Sequence, residues 1–390
     1  MKRNFGLLFV ALMSLGACGG SAAPTTLLPE IDEVRLLFSK ADPKSSQYYN
    51  YCPTSFVENN VQHIYYCTNE SDGNVTDFVG YRTGQIIDNK LVYSEEELIL
   101  THGEVGVDWD SRHVCDPSVV KGNFTYNEET YSYLMAYLGC SSSDVTLNET
   151  GLAVSKTPAG PWIKVAFEKD GVTKLRPIVP VTDFTDNQKC WGTGQPSLVS
   201  VNEAGEVLLF TSVGIETATF TNLRHYDFSN LNDVKLIDEQ RTIMTTGVVG
   251  TSTGASFINN ADFAYDKENQ RVLMVKGRQH YNTDGKLPNQ IESILDVYYI
   301  DDTERTGVGS VLFAGNNTTK QWKLMGSINQ DLTGFLRNHN PGFITNEYGH
   351  ILNTDALPVA FTRADEGGGW QHLATYRIYA TSIAFPKKYF

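Results

Sequence analysis

The sequence has little positive charge, few cysteines and no long apolar run after its first residues. Its 390 residues include 31 Lys and Arg against 45 Asp and Glu, which gives a formal net charge of −14. A chain with no basic surplus has nothing with which to neutralise phosphates, so we expect no nucleic-acid partner. No later stretch approaches the roughly 18 apolar residues of a membrane-spanning helix. The sequence therefore predicts a protein whose main chain stays outside the bilayer.

Several patterns that carry cofactor chemistry are also absent. The sequence has no CxxC pair, no glycine-rich nucleotide-binding loop and no serine–histidine triad pattern, so we expect no zinc cluster and no organic cofactor. Long helical periodicity is missing too. In its place are 33 Gly, 20 Tyr, 19 Phe and many short apolar runs broken by Asn, Asp and Gly. This composition predicts an all-β protein.

The first residues have the pattern of a targeting segment. Lys2 and Arg3 precede a short apolar run over 5–15, as in a secretory signal. The run ends in Leu-Gly-Ala-Cys, which resembles a bacterial lipobox and implies removal of residues 1–17 and lipidation of Cys18. Residues 18–30 would then be a flexible tether, and the protein would be lipid-anchored in a bacterial cell envelope, facing outside the cytoplasm. An ordinary signal peptide with a coincidental cysteine is the alternative.

One pattern recurs five times along the chain. Each copy has a polar or thiol opening residue, an apolar strand, a turn rich in Asn, Asp and Gly, and an apolar return strand. Proline follows the opening residue in four copies, and the copies begin 64 to 80 residues apart. The opening residues are Cys52, Asp116, Gln195, Asn260 and Asn340.

Further strand-like segments, such as 150–155 and 295–300, follow the hairpins. Four antiparallel strands repeated radially form a propeller blade, so residues 31–390 are predicted to form a five-bladed β-propeller of four-stranded antiparallel blades. An early strand over 34–38 would complete the last blade and close the ring. A two-domain β-sandwich is the alternative, because it also has many short strands.

Two stretches carry a family resemblance. The sequence Asp-Pro-Ser-Val-Val at 116–120 and the sequence GLAVSKTPAGPW at 151–162 resemble the five-bladed β-propeller glycosidases, in particular the family 43 arabinanases and xylosidases. The resemblance implies hydrolysis of O-glycosyl bonds in plant-type or other polysaccharides by inversion, with Asp116 as the general base. A second aspartate would tune the pKa, and a glutamate would be the acid. Where that acid is expected the chain has Gln195, which cannot donate a proton at neutral pH.

The acid must therefore come from elsewhere if the protein is an enzyme. Glu149, Glu216 and Glu292, like Asp77, stand just ahead of candidate third strands and share a face of the propeller with Asp116. The two reacting carboxyl groups must lie about 5 to 5.5 Å apart for retention or about 6.5 to 9.5 Å apart for inversion. Asp262 is a further candidate, but it stands later in its copy than Asp116 does, and we expect strand alternation to turn it to the other side.

Other residues near the openings are candidates for sugar binding. Arginine binds carboxylates and hydroxyl groups, and tryptophan stacks on sugar faces, although each also occurs as an ordinary loop or core residue. Trp109 and Trp370 are weaker candidates for stacking on a sugar face. His339 is also the residue through which the resemblance implies an axial calcium ion. The candidate sugar-binding residues are Arg112, His113, Gln195, Asn260, Arg337, His339, Asn340 and Trp191.

The cysteines that follow the targeting segment fit the same model. Cys52 and Cys115 stand at first strands, while Cys67 and Cys140 end the return strands, so the sequence predicts disulfides Cys52–Cys67 and Cys115–Cys140, or else four thiols. Three hypotheses follow from the sequence: a monomeric, anchored glycoside hydrolase, a non-catalytic glycan-binding lipoprotein on the same scaffold, and a structural or adhesion propeller.

Overall fold

The computed structural model describes most of the chain after residue 48. The described residues are 35–37, 49–69, 76–88, 90–142, 146–250, 257–278, 291–304, 306–353, 356–364 and 375–384. The targeting segment, Cys18, the tether over 18–30 and Trp370 lie outside them. No helix within these ranges has the length and apolar character needed to cross a membrane.

The regular secondary structure of the described residues is almost entirely β-strand, which confirms the predicted all-β class. Helical structure in this part of the chain is limited to 3₁₀ helices Val181–Asp183 and Ser310–Asn317 and the short α-helix α1 (Gln330–Thr333). The strands form antiparallel sheets, numbered 1 to 5 below in chain order.

Sheets 1 and 2 come from the first 175 residues. The short strand β1 (Arg35–Leu36) comes first in the chain, and the strands of sheet 1 follow it. In sheet 1, two short strands both pair with the same longer strand, β4 (Asp77–Ile87). Its strands are β2 (Asn50–Glu58), β3 (Val61–Asn69), β4 (Asp77–Ile87), β5 (Lys90–Tyr93) and β6 (Glu97–Leu100). Sheet 2 contains β7 (His113–Tyr126), β8 (Glu129–Cys140), β9 (Glu149–Ser155) and β10 (Ile163–Lys164), and a separate hairpin follows it, formed by β11 (Ala166–Lys169) and β12 (Val172–Leu175).

Sheets 3, 4 and 5 repeat this order. Sheet 3 contains β13 (Gly192–Ser200), β14 (Glu206–Ile215), β15 (Ala218–Asp227) and β16 (Lys235–Gln240). Sheet 4 contains β17 (Ala261–Asp266), β18 (Arg271–Gly277), β19 (Leu295–Asp301) and β20 (Lys323–Ile328). Sheet 5 contains β21 (Arg337–Asn346), β22 (Ala356–Ala364) and β23 (Arg377–Ala384). Strand β1 pairs with β23, as predicted for the early strand.

Tight turns explain why the hairpins form at these points. Asn59 and Asn60 have φ values of 50° and 65°, and Asn127 and Glu128 have 50° and 67°. Two successive residues with positive φ make the turn that matches the twist of a two-stranded hairpin, and asparagine tolerates this conformation well. The sequence therefore fixes the register of these hairpins locally.

Apolar cores lie between successive sheets, so the inner strands are buried on both faces. Separate clusters join sheets 1 and 2, 2 and 3, 3 and 4, and 4 and 5. A further cluster joins sheet 5 to sheet 1 through residues that include Ile64, Tyr66 and Ile344. Beside it, β2 and β21 pair in parallel over three residues of each strand. The first and last sheets are therefore neighbours.

The five opening residues share an unusual backbone. The φ values are 52° at Cys52, 46° at Asp116, 46° at Gln195, 47° at Asn260 and 43° at Asn340. In four copies the strand register shifts at this point, as at a β-bulge. A bulge bends its strand and re-aims the side chain beside it. The repeat thus places the same left-handed backbone conformation at each of the five opening residues.

Candidate functional site

The five openings converge on one small cavity. Residues from every opening line it, among them Cys52, Asp116, Gln195, Asn260 and Pro341, and its volume is about 20 Å³. This volume is enough for about one water molecule and too small for a sugar. The chemistry of the site therefore depends on the polar groups around this cavity and on a second, larger cavity beside them.

Asp116 is the carboxyl group at the centre of this arrangement. Its side chain is buried, and its Oδ1 atom lies 3.2 Å from the Sγ atom of Cys115 and 3.5 Å from that of Cys67. Burial raises the pKa of Asp116 to about 6, although a hydrogen bond from the Cys52 thiol opposes the rise. His113 and His339 also favour the ionised form. Asp116 therefore exchanges its proton close to neutral pH.

The disulfide beside Asp116 is not one of those predicted. Cys67 of β3 is bonded to Cys115 of β7, with Cα atoms 5.1 Å apart, and the structure has Cys52 and Cys140 as free thiols. The predicted pairs Cys52–Cys67 and Cys115–Cys140 are wrong because they assumed regular hairpins. The bulge at Cys52 turns its side chain away from the ladder, and Cys67 faces the neighbouring sheet.

On one side of Asp116, a buried aspartate holds a histidine. Asp77 accepts hydrogen bonds from the hydroxyl groups of Tyr49 and Tyr51, and its Oδ2 atom lies 3.3 Å from Nδ1 of His113. Burial alone would lower the pKa of His113, but the contacts with Asp77 and Cys140 outweigh it and raise the pKa to about 10. His113 is therefore an imidazolium at neutral pH. The sequence placed Asp77 on this face but gave no sign of its partner.

On the other side, a buried glutamate contacts a second histidine. Oε2 of Glu292 is paired with Nδ1 of His339, and the amide of Asn260 donates to Glu292 at 3.4 to 3.5 Å. Burial raises the pKa of Glu292, but His339 has the larger net effect and the pKa is lowered. Asn260, which contacts Glu292, lines the same small cavity as Asp116, so the two carboxyl groups belong to one polar cluster.

The other candidate acids lie in different surroundings. Glu149 begins β9, accepts a hydrogen bond from the backbone of Val181 at 3.0 Å, and has a pKa raised by burial. Glu216 is exposed and accepts only from the hydroxyl of Thr185 among the hydrogen bonds described. Asp262 lines the small cavity, but both of its oxygens are used in ties between strands. Of the three glutamates, Glu292 is the one whose contacts lead back to Asp116.

The remaining candidates divide by exposure. Arg337 is buried and donates to the hydroxyl of Ser293, and Asn340 is buried beside the Cys52 thiol. Gln195 is half-buried at its opening. Arg112 and Trp191 are exposed, and Arg112 lines the larger cavity.

The larger cavity lies at the same end of sheets 1 and 2 as Asp77 and His113. Its volume is about 820 Å³, and its walls include Thr76, Arg112 and Ser141. Thr76 directly precedes Asp77, and Arg112 directly precedes His113. The cavity is therefore next to the buried polar cluster and has room for a ligand, since small-molecule sites commonly measure about 300 to 1,000 Å³.

The calcium ion that the resemblance implied would need oxygen ligands around the small cavity. Calcium takes six to eight oxygen ligands. The metal-binding groups brought together in the described ranges are Cys52, Cys67 and Asp116, and Cys67 is used in a disulfide. Nδ1 of His339 is engaged by Glu292. This cluster therefore offers calcium one carboxylate, and the axial calcium ion stays a prediction.

Comparison with known proteins gives a fold but no sequence family. No family model matches the chain, and no curated protein matches it. Among solved structures it is similar to Zg3597, a family 117 glycoside hydrolase of the marine bacterium Zobellia galactanivorans, with 13% identity, 91% of this chain and 92% of that chain covered, and a TM-score of 0.52. It is also similar to the α-L-arabinofuranosidase PaAbf62A of Podospora anserina in complex with cellotriose, with 11% identity, 92% and 98% covered, and a TM-score of 0.52.

A third similar structure is the GH43_1 enzyme of Xanthomonas citri complexed with xylotriose, with 10% identity, 91% of each chain covered and a TM-score of 0.50. At these identities the likeness speaks for the fold alone. The predicted resemblance is confirmed at that level: the chain has the β-propeller-like fold of the family 43, 62 and 117 glycoside hydrolases.

Proposed function

We propose that the five sheets close into a five-bladed propeller. Three observations support closure: an apolar core between each pair of successive sheets, a further core between sheets 5 and 1, and the parallel pairing of β2 with β21. The convergence of all five openings on one cavity agrees with a common axis. This arrangement puts the polar cluster at one end of the axis.

We propose that the protein is a glycoside hydrolase that acts at this end. The observation that supports the proposal best is a pair of buried carboxyl groups whose pKa values are displaced in opposite directions. Asp116 lines the small cavity, and Glu292 is hydrogen-bonded to Asn260 in the wall of the same cavity. Two carboxyl groups held in different protonation states are what acid–base cleavage of a glycosidic bond requires. Binding without cleavage has no need of this arrangement.

The pKa directions suggest a division of roles between the two groups. Asp116, with a pKa raised to about 6, holds a proton in mildly acidic solution and would donate it to the leaving oxygen. Glu292, whose pKa is lowered, is ionised and would activate the water. This assignment reverses the role of Asp116 implied by the family resemblance. We retain inversion as the proposed outcome, and NMR of the first product anomer tests it.

The test is hydrolysis of aryl arabinosides, xylosides and galactosides, with branched plant polysaccharides alongside, by the chain from residue 29 onward. We expect Asp116→Asn and Glu292→Gln each to reduce kcat at least 100-fold, since general acid–base groups contribute about 10² to 10⁴. Glu216→Gln, an exposed carboxylate on the same face, is the matched control and should keep full activity. No turnover by the native protein, with sugars still raising its melting temperature, would mean a glycan-binding protein.

We also propose that the protein is a monomer anchored in a bacterial envelope through lipid on Cys18. The support is the sequence pattern at residues 2–18. Labelling with a radioactive fatty acid, followed by detergent phase partitioning, tests the anchor. Cys18→Ser should lose the label and move to the aqueous phase, while Cys190→Ser should keep both properties.

A further inference from the structure

The walls of the larger cavity carry a charge opposite to that of the protein as a whole. The chain has a net charge of −14, yet the described residues that line this cavity include Arg112, Lys174 and Arg176 against a single carboxylate, Asp108. Lys174 and Arg112 are exposed residues of the cavity wall. A concave site lined by one sign of charge raises the local concentration of ligands of the other sign.

Two buried N–H groups in the same walls have no acceptor. Nε of Arg176 and Nε1 of Trp109 lack a hydrogen-bond partner anywhere in the described part of the chain. Leaving such a donor unpaired costs about 1 to 3 kcal/mol. Arginine and indole nitrogens only donate, so the missing partner must be an acceptor. The Trp109 ring is held in place against Tyr137, with ring centroids 5.8 Å apart.

We propose that this cavity binds the acidic group of an anionic sugar, a carboxylate or a sulfate ester, as part of the substrate of the proposed hydrolase. A guanidinium group matches two oxygens of such an anion at once, which a neutral hydroxyl group cannot offer. The inference rests on the proposed function for its link to cleavage. Binding itself depends only on the cavity.

The cavity is close enough to the buried cluster for one ligand to reach both. Arg112 in its wall precedes Asp116 by four residues along the chain, which corresponds to at most about 14 Å. Ser141, beside Arg112 in the wall, follows Cys140, whose carbonyl accepts from the backbone N–H of Arg112 and which is paired with His113 in the β7–β8 ladder. An oligosaccharide with its acidic unit in the cavity would therefore extend its neighbouring unit towards Asp116.

Calorimetric binding to the Asp116→Asn protein tests the proposal without turnover. The probes are an oligogalacturonide, a sulfated galactan oligosaccharide and neutral arabinan and xylan oligosaccharides of equal length. We expect one acidic class to bind at least tenfold more tightly than the neutral ones, with affinity that falls as salt rises. The two acidic probes distinguish carboxylate from sulfate.

Two variants with a matched control locate the effect. Arg176→Gln and Lys174→Gln should each weaken binding of the acidic probe about tenfold or more. Lys169→Gln removes the same charge from an exposed position on the same β11–β12 hairpin, outside the cavity walls, and should bind as before. Lys174 is exposed, so its variant should fold normally, and an unchanged melting temperature checks this.

The outcomes separate the two proposals. Equal affinity for neutral and acidic probes, or unchanged acidic binding in both cavity variants, would overturn this inference. Cleavage of neutral glycans with no preference for acidic ones would do the same while leaving the hydrolase proposal standing. Tight acidic binding that both variants weaken, without cleavage of any glycan by the native chain, would support the cavity and contradict hydrolysis.

Discussion

The carboxyl group of Asp116 is buried beside the Cys67–Cys115 disulfide and the Cys52 thiol, and the backbone of Asp116 is in the left-handed conformation. Its pKa rises from 3.8 to about 6, so folding favours its protonated form. Asp116 therefore does not destabilise the folded protein below about pH 4. As the pH rises through 6, it lowers the free energy of unfolding progressively. The full cost is about 3 kcal/mol, at about 1.4 kcal/mol for each pKa unit.

Asp116→Asn should accordingly be more stable than the native protein at pH 7.5 by about 3 kcal/mol, and this advantage should vanish at pH 4. Urea unfolding of both proteins at the two pH values measures it. A stability difference that is the same at both would show that Asp116 does not carry the raised pKa.

Two buried histidines should differ in charge at the same pH. Burial lowers the pKa of His63 to about 4, whereas Asp77, together with Cys140, raises that of His113 to about 10. NMR of the ring nitrogens between pH 5.5 and 8.5 should show a neutral His63 and a charged His113, neither titrating. Asp77→Asn should bring the titration of His113 into this range. A His113 that titrates near 6.5 in the native protein would contradict the pairing.

At the scale of the elements, the sequence predicted the hairpins, because short local patterns mark their strands and turns. The openings at 52, 116, 195, 260 and 340 and their return strands were found because proline, asparagine and apolar runs mark them within about 30 residues. The partners of the site residues were not found. Cys67 meets Cys115 and Glu292 meets His339 across neighbouring sheets, and no local pattern records which sheet faces will meet.

The disulfide between sheets 1 and 2 should stabilise the fold. Cys67 and Cys115 are 48 residues apart, and a loop of this length corresponds to about 4 kcal/mol in the chain-entropy model. The double variant Cys67→Ala, Cys115→Ala should lose about this much in urea unfolding, with Cys190→Ala as the control. Peptide mapping without reduction should recover the linked pair, and recovery of Cys52 linked to Cys67 would contradict it.

Asp262 connects three first strands. Its Oδ1 atom accepts from the hydroxyl of Ser197 in β13 and its Oδ2 atom from the backbone N–H of Phe343 in β21, each at 2.7 Å. Asp262→Ala should cost about 2 to 4 kcal/mol because it leaves both donors unpaired. At pH 4, where the pKa that burial raises to about 6 leaves Asp262 protonated, Asp262→Asn should cost less than 1 kcal/mol, since its amide oxygen serves Phe343 and its amide nitrogen donates to Ser197. Equal losses in urea unfolding would show that size rather than hydrogen bonding matters there.

At the scale of the whole molecule, the two ends of the described chain meet. Strand β1 covers the edge of β23, and Leu37, which follows it, is 7% exposed in the core between sheets 5 and 1. Beside this core, β2 of the first sheet pairs with β21 of the last. The sequence predicted the early strand because the fifth copy of the repeat lacked a fourth strand of its own. The pairing of β2 with β21 joins segments almost 300 residues apart, and no local sequence pattern indicates it.

A chain that begins at residue 38 should therefore be less stable than one that begins at residue 29. It loses the burial of Leu37, about 2 kcal/mol, and the hydrogen bonds that protect β23 at the sheet edge. An uncovered edge strand is also a template for association, so the shorter chain should aggregate with increasing concentration. Urea unfolding followed by both tryptophan fluorescence and far-UV circular dichroism measures the loss. If β1 completes sheet 5, both probes should shift together to a lower midpoint, and equal midpoints for the two chains would show that β23 does not need its cover.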